Sequence, residues 1–300
     1  STAGNLSFEQ GAELENNAIL DFSGSKIKLS GLLDISGGTL SSNSTSSLEL
    51  QTDSSLSSTA KFTVPSLDLK SKKLSLNSAT THLVVSNPFS AGTNESIDTK
   101  AGSLTLNGSA TLENAAAIES TSGALTFNGN VSLDNSSILL TGGSALFNSA
   151  AQISASQLKL NDSSLTLAAD VNMTNSSKLS LKNTNFLGSS KVKLTGGTLE
   201  LGGTIGSLSS VQTDANTSLE LNSDTTITRA DAMEAGGLKL NAFSLTLGSD
   251  TTDLTLNSPL LLNNAGSELI TQGADLVLQD SLQLTAGKIT STAGTFTFTK

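Results

Sequence analysis

Through residues 103–201 apolar and polar side chains alternate in short triplets, typically Leu-x-Leu followed by Asn or Gly, and the triplets return at a nearly fixed step. Leu104-Thr105-Leu106-Asn107-Gly108 is followed by Leu125-Thr126-Phe127-Asn128-Gly129, then by Leu146-Phe147-Asn148, then by Leu165 and Leu167, at about 20–21 residues per step. A second phrase keeps that step through Leu112, Leu133, Ile153 and Met173, with Asn114, Asn135 and Asn175 close behind three of them. A third runs through Ile118, Ile138, Leu158, Leu179 and Leu199. Side chains alternate between faces in an extended chain, so each triplet puts its outer residues on one side and its middle Thr, Ser, Lys or Glu on the other. Three such triplets per period, parted by Ser, Asn, Gly and Asp that form corners readily, predict a turn of three short strands with the leucines inside. One turn cannot bury that apolar side, but stacked turns bury it continuously and bond their backbones to the turns above and below. The expected fold is all-β, a β-solenoid. In it Asn107, Asn128 and Asn148 stack as an inward amide ladder, and Asn114, Asn135 and Asn175 form a second set.

Outside that stretch the rhythm loosens. Residues 1–100 contain short alternating runs such as Ile27-Lys28-Leu29, Leu48-Glu49-Leu50 and Leu74-Ser75-Leu76, parted by corners of unequal length. Asn87-Pro88 and the polar run after it predict a loop over 86–99, because proline is excluded from central strands. Residues 228–237 break the pattern again. Arg229-Ala230-Asp231-Ala232-Met233-Glu234-Ala235 are helix formers ahead of Gly236-Gly237, which predicts a short helical excursion. Triplets then resume and continue to Phe296-Thr297-Phe298, with no polar cap evident. Ser1, Phe296, Phe298 and Lys300 are therefore candidate contact ends, against further repeats or against copies of the chain placed end to end.

Composition narrows the function. With 36% hydrophobic residues set in alternating triplets, the chain has enough apolar material for a core, and a single solenoid unit, a rod, is the expected organisation of residues 1–300. The net charge of −10 argues against nucleic acid and anionic membrane surfaces as partners, since both need basic patches. Lys70, Lys72 and Lys73 form the one basic cluster, and a solvated strand edge accounts for it. No run is long enough for a membrane-crossing helix. Cysteine is absent, so disulfides play no part. The chain shows neither a starting methionine nor a signal peptide, as expected of a mature or excised segment.

Residues that carry chemistry are scarce. His82 is the only histidine, which excludes a histidine pair for zinc. Nucleophile elbows, phosphate loops and dinucleotide fingerprints are missing, and the carboxylates are dispersed. No cofactor or metal is expected, and no catalytic residue. A β-helical polysaccharide enzyme remains an alternative, although the chain has no Trp or Tyr for sugar stacking.

The phrases at 102–108, at 129–133 (Gly-Asn-Val-Ser-Leu) and at 196–201 (Gly-Gly-Thr-Leu-Glu-Leu) resemble the passenger regions of bacterial autotransporters and of filamentous-haemagglutinin-type adhesins. The resemblance lies in the style of repeat over most of the chain and includes no catalytic or binding motif. It implies a right-handed parallel β-helix on a bacterial cell surface, serving adhesion, aggregation or a structural coat, with an unknown host or cell-surface receptor. A self-assembling extracellular filament or coat subunit is the alternative expectation.

Overall fold

The computed structural model describes residues 4–251 and 253–299. All regular secondary structure among them is strand, and every pairing described here is parallel; the strands stack as a β-solenoid of about 14 turns. The chain groups into two compact units, Ser1–Ala151 and Gln152–Lys300.

In the first unit a regular turn has three faces. The first carries Ser96–Asp98, Ala117–Ser120 and Ser137–Thr141; the second carries His82–Val85, Ser103–Leu106, Ala124–Phe127 and Ser144–Phe147; the third carries Phe89–Ala91, Ala110–Glu113 and Val131–Asp134. Identical positions of successive turns pair directly, as in Leu104 with Leu125, Leu112 with Leu133 and Ile118 with Ile138. Alternation decides which side chains enter. Leu104, Leu106, Leu125, Phe127, Leu112 and Leu133 are all buried in a common core, and the Phe127 and Phe147 rings stack there with centroids 4.8 Å apart.

The corners follow from backbone chemistry. Between the third and first faces the chain passes through left-handed residues, Asn94, Asn114 with Ala115, and Asn135, at φ values between 49° and 69°. Asparagine tolerates that region better than other residues with a Cβ, because its short amide bonds the local backbone. Between the first and second faces Gly123 passes so close to the turn below that a Cβ would lie 1.7 Å from the Gly102 carbonyl oxygen.

The second unit is built the same way, from Gln157–Asn161, Lys178–Lys182, Thr198–Ile205 and Ser218–Ala230 on its first face. Leu165, Leu167, Ile153 and Met173 are buried in its core, and Leu179 pairs with Leu158 and Leu199. Its landmarks repeat those of the first unit. Residues 47–53 read Ser-Leu-Glu-Leu-Gln-Thr-Asp, and 218–224 read Ser-Leu-Glu-Leu-Asn-Ser-Asp. Both segments open long strands, Ser47–Ser57 and Ser218–Ala230, whose pairing with the preceding turn shifts at a left-handed glycine, Gly31 in one and Gly203 in the other. Asp53 accepts a hydrogen bond from the Lys73 N–H at 2.9 Å, and Asp224 accepts one from the Ser244 N–H at 2.8 Å. Pro88 and Pro259 immediately precede the matching strands Phe89–Ala91 and Leu260–Leu262.

Three expectations are corrected. The stretch 86–99 is no bulging loop: Phe89–Ala91 and Ser96–Asp98 both pair in register with the next turn, and Pro88 sits at the corner, where it removes no ladder hydrogen bond. Residues 229–235 form no helix. Ser218–Ala230 and Met233–Ala235 are strands, and Met233 and Ala235 alternate inward as Phe62 and Val64 do in the first unit, so pairing overrides helix propensity. Leu146 lies on the outer side of Ser144–Phe147, because the inward pair is Ala145 and Phe147.

Candidate functional site

Core side chains are consumed by packing, so whatever the chain recognises must be met on its outer faces, its corners or the exposed sides of its turns. On the first unit the clearest outer feature is amide. Asn107, Asn128 and Asn148 each follow the last buried residue of a second-face strand, and alternation turns them outward. They stack as a ladder: Asn128 Nδ2 donates to Asn107 Oδ1 and Asn148 Nδ2 donates to Asn128 Oδ1, both at 2.7 Å. The ladder is exposed, where the sequence suggested an inward one. Asn114, Asn135 and Asn175 set left-handed corners, and Asn175 Nδ2 donates to Ser154 Oγ at 2.8 Å within the second unit.

Buried hydroxyls close these corners from inside. Ser46, Ser177 and Thr217 are each at most 1% exposed, and each hydroxyl donates to a carbonyl of the preceding turn, on Phe22, Ile153 and Leu194. One corner of the first unit uses a carboxylate instead. Glu95, directly ahead of Ser96–Asp98, accepts the Ser71 N–H on Oε1 and the Gly92 N–H on Oε2, each at 2.7 Å. Ser71 belongs to a consecutive left-handed pair with Lys70, whose own N–H donates to Asp68 Oδ1 at 3.3 Å.

The matching corner of the second unit differs. Asn241 and Ala242 form the equivalent left-handed pair, but Ser267 stands where the first unit has Glu95. Its hydroxyl reaches the Ala242 N–H at 3.3 Å. A cavity of about 500 Å³ opens beside it, lined by Lys239, Asn241, Ala242, Pro259, Leu261 and Asn264 among others.

Charges on the first face pair across neighbouring turns, as Lys26 with Glu49 at 2.6 Å and Lys178 with Glu200 at 2.8 Å. The Lys26 hydrogen bond holds Glu49 below the usual glutamate value. Burial pushes Glu200 upward, but hydrogen bonds from Lys178 and Ser180 outweigh it and leave the group lowered. Lys70 pairs with Asp68 at 2.9 Å and Lys73 with Asp98 at 3.5 Å, so two lysines of the basic cluster face acids. His82 Nε2 lies 3.0 Å from Thr105 Oγ1; burial, helped by the Lys61 charge, holds it below the ordinary imidazole value. Among the described residues no group of three or more His, Asp or Glu is placed to hold a metal ion, and no helix is long and apolar enough to cross a membrane.

Comparison of the chain with family models, curated protein sequences and solved structures gave no match. Of the four candidate contact ends, Ser1 and Lys300 lie outside the described residues, Phe296 is half-buried and Phe298 is 52% exposed, as is Leu284 of the same turn at 51%. The sequence reading passed over Glu95 and its counterpart corner. The signal for both was the Ser-Leu-Glu-Leu repeat, whose long spacing is hidden beneath the shorter period.

Proposed function

We propose that the chain is a structural and adhesive scaffold of a bacterial cell surface, acting outside the cell like the autotransporter passengers and filamentous-haemagglutinin-type adhesins that its repeats resemble. The observation that carries this reading is the outward Asn107–Asn128–Asn148 ladder on a hydrogen-bonded parallel frame. Stacked turns hold identical polar groups at about 4.8 Å intervals without further ordering cost, which suits repeated weak contacts with a receptor or a neighbouring cell. The same frame suits a tether. The test is display of the chain on a non-adherent cell, with aggregation and attachment to host cells compared against the empty anchor. Adhesion that rises with display, and falls when Asn107, Asn128 and Asn148 are replaced together by alanine, supports the reading; adhesion equal to that of the empty anchor removes it.

A second reading is a self-assembling extracellular filament or coat subunit, to which stacked parallel turns with identical pairing at every step are suited. The partner would be another copy, placed head to tail. Negative-stain microscopy over a concentration series separates the two readings: fibres that lengthen with concentration favour assembly, and single particles at every concentration favour the scaffold.

A further inference from the structure

Two corners of the first unit carry the same dipeptide, Asn107-Gly108 and Asn128-Gly129, each between a second-face strand and the third-face strand that follows it. No other asparagine in the chain is followed by glycine. The fold imposes both members of the pair. The asparagines are rungs of the outer ladder. The glycines pass so near the preceding turn that a Cβ on Gly108 would lie 2.4 Å from the Pro88 nitrogen, and one on Gly129 2.5 Å from the Gly108 carbonyl carbon. With no Cβ on the following residue, the backbone nitrogen is unshielded and can approach the asparagine side chain before it.

The ladder treats the two asparagines differently. Asn107 Oδ1 accepts from Asn128 Nδ2 and Asn128 Oδ1 accepts from Asn148 Nδ2, so a donor at 2.7 Å polarises each side-chain carbonyl. The amide nitrogens are not equivalent. Asn128 Nδ2 is held by the Asn107 oxygen, whereas Asn107 Nδ2, at the end of the ladder, donates to no described residue. The Gly108 and Gly129 N–H groups make no hydrogen bond to a described residue either, and all three rungs are exposed to water.

We infer that Asn107 is a self-modifying site, converted by water to aspartate or isoaspartate ahead of its neighbour Asn128. The Gly108 nitrogen loses its proton to solvent, and its electron pair attacks Asn107 Cγ. Negative charge gathers on Oδ1, where Asn128 Nδ2 stabilises it. Collapse breaks the Cγ–Nδ2 bond, and Nδ2 takes a proton from water and leaves as ammonia; a cyclic imide remains. Water then adds to one imide carbonyl and breaks its bond to the ring nitrogen, which takes up a proton. Water is consumed and ammonia released, with no change of oxidation state. At Asn107 the departing nitrogen breaks no rung. At Asn128 it removes the donor of a rung, and the carboxylate formed would set its oxygens against Asn107 Oδ1. A lost hydrogen bond of ordinary strength slows Asn128 by about two- to tenfold relative to Asn107. Aspartate at position 107 places a negative charge on a ladder of neutral amides and accepts from Asn128 more strongly than the amide does.

The test is mass spectrometry of the full chain incubated at mildly alkaline pH, with fragment ions that separate the two positions and a parallel portion held in urea. In urea Asn107 and Asn128 should convert at equal rates, since each stands between an apolar residue and glycine. In the folded chain Asn107 should lead by about two- to tenfold. Asn107→Ala frees Asn128 Nδ2, and conversion at Asn128 should rise by a similar factor. Equal rates in the folded chain overturn the proposal, as does a lead at Asn128, and both are read without any variant. An Asn107 that stays intact while the urea portion converts also overturns it, and so does a folded Asn107→Ala chain with an unchanged rate at Asn128. These rates are measured on the isolated chain and are the same whether or not the ladder meets a receptor.

Discussion

Replacing Phe127 by alanine tests the stacked core most directly. Phe127 and Phe147 are 1% and 0% exposed, they pair in register across neighbouring turns, and their rings lie 4.8 Å apart with planes inclined by 19°. Deleting a fully buried phenylalanine side chain removes its transfer free energy and leaves a cavity, a loss of about 3–5 kcal/mol. About 0.5–1.5 kcal/mol of that belongs to the ring pair itself and should appear as coupling in a cycle of F127A, F147A and the double variant. Turns touch only their neighbours, so the loss should be local. Hydrogen exchange should therefore quicken most in Ser103–Leu106, Ala124–Phe127 and Ser144–Phe147, while Asn5–Phe8 keeps its protection. Urea unfolding gives the global loss, and exchange of individual strand amides gives the local one. A destabilisation below about 1 kcal/mol, or a coupling indistinguishable from zero, would refute the reasoning, because neither is compatible with two rings closing one core.

Other outcomes follow from other positions. G123A places a methyl 1.7 Å from the Gly102 carbonyl oxygen and must push two turns apart, so it should cost about 1–3 kcal/mol or more in urea melts. N128A removes two ladder hydrogen bonds that are open to water, and it should cost no more than about 1 kcal/mol per bond while leaving the far-UV spectrum unchanged. The Glu49 carboxyl, its side chain 10% exposed, is held below the ordinary value of 4.5 by the Lys26 hydrogen bond. A lowered carboxylate contributes stability that is complete above its unfolded value and is lost as pH falls through the folded one. The stability difference between the parent and E49Q should accordingly be constant near neutrality and shrink below about pH 4.5, as read from urea midpoints at each pH.

The core was legible because strand alternation is a strict rule: Leu104, Leu106, Leu112, Leu125 and Leu133 sit where the triplets place them. Leu146 misled because its triplet is Ala145-Leu146-Phe147, and alanine in the first inward position made the apolar pair look one residue later than it is. The ladder asparagines were legible as a stack and misread in direction, since the residue after an inward Leu or Phe must point out. At 86–99 and 229–235 local preferences of proline and of helix formers spoke against strands, and pairing with adjacent turns prevailed. The carboxylate corner was not legible from any one turn. Glu95 reads as one dispersed acid until its backbone partners at Ser71 and Gly92 are brought beside it, and neither spacing resembles a binding motif.

The recurring left-handed corners at Asn94, Asn114 and Asn135 bear on how such a chain changes length. Loss or gain of a single residue throws every alternate side chain of a strand to the opposite face, and so empties the core into water. The corners take up such a change instead: the one at Asn114-Ala115 holds one left-handed residue more than the one at Asn135, and the ladder still closes over steps of 21 and 20 residues. Strand positions in the first unit can therefore be lost or gained only as whole turns, each worth about 4.8 Å along the stacking direction, while the corners tolerate single residues. The number of turns is thus a digital variable, whereas the length of each corner is set residue by residue.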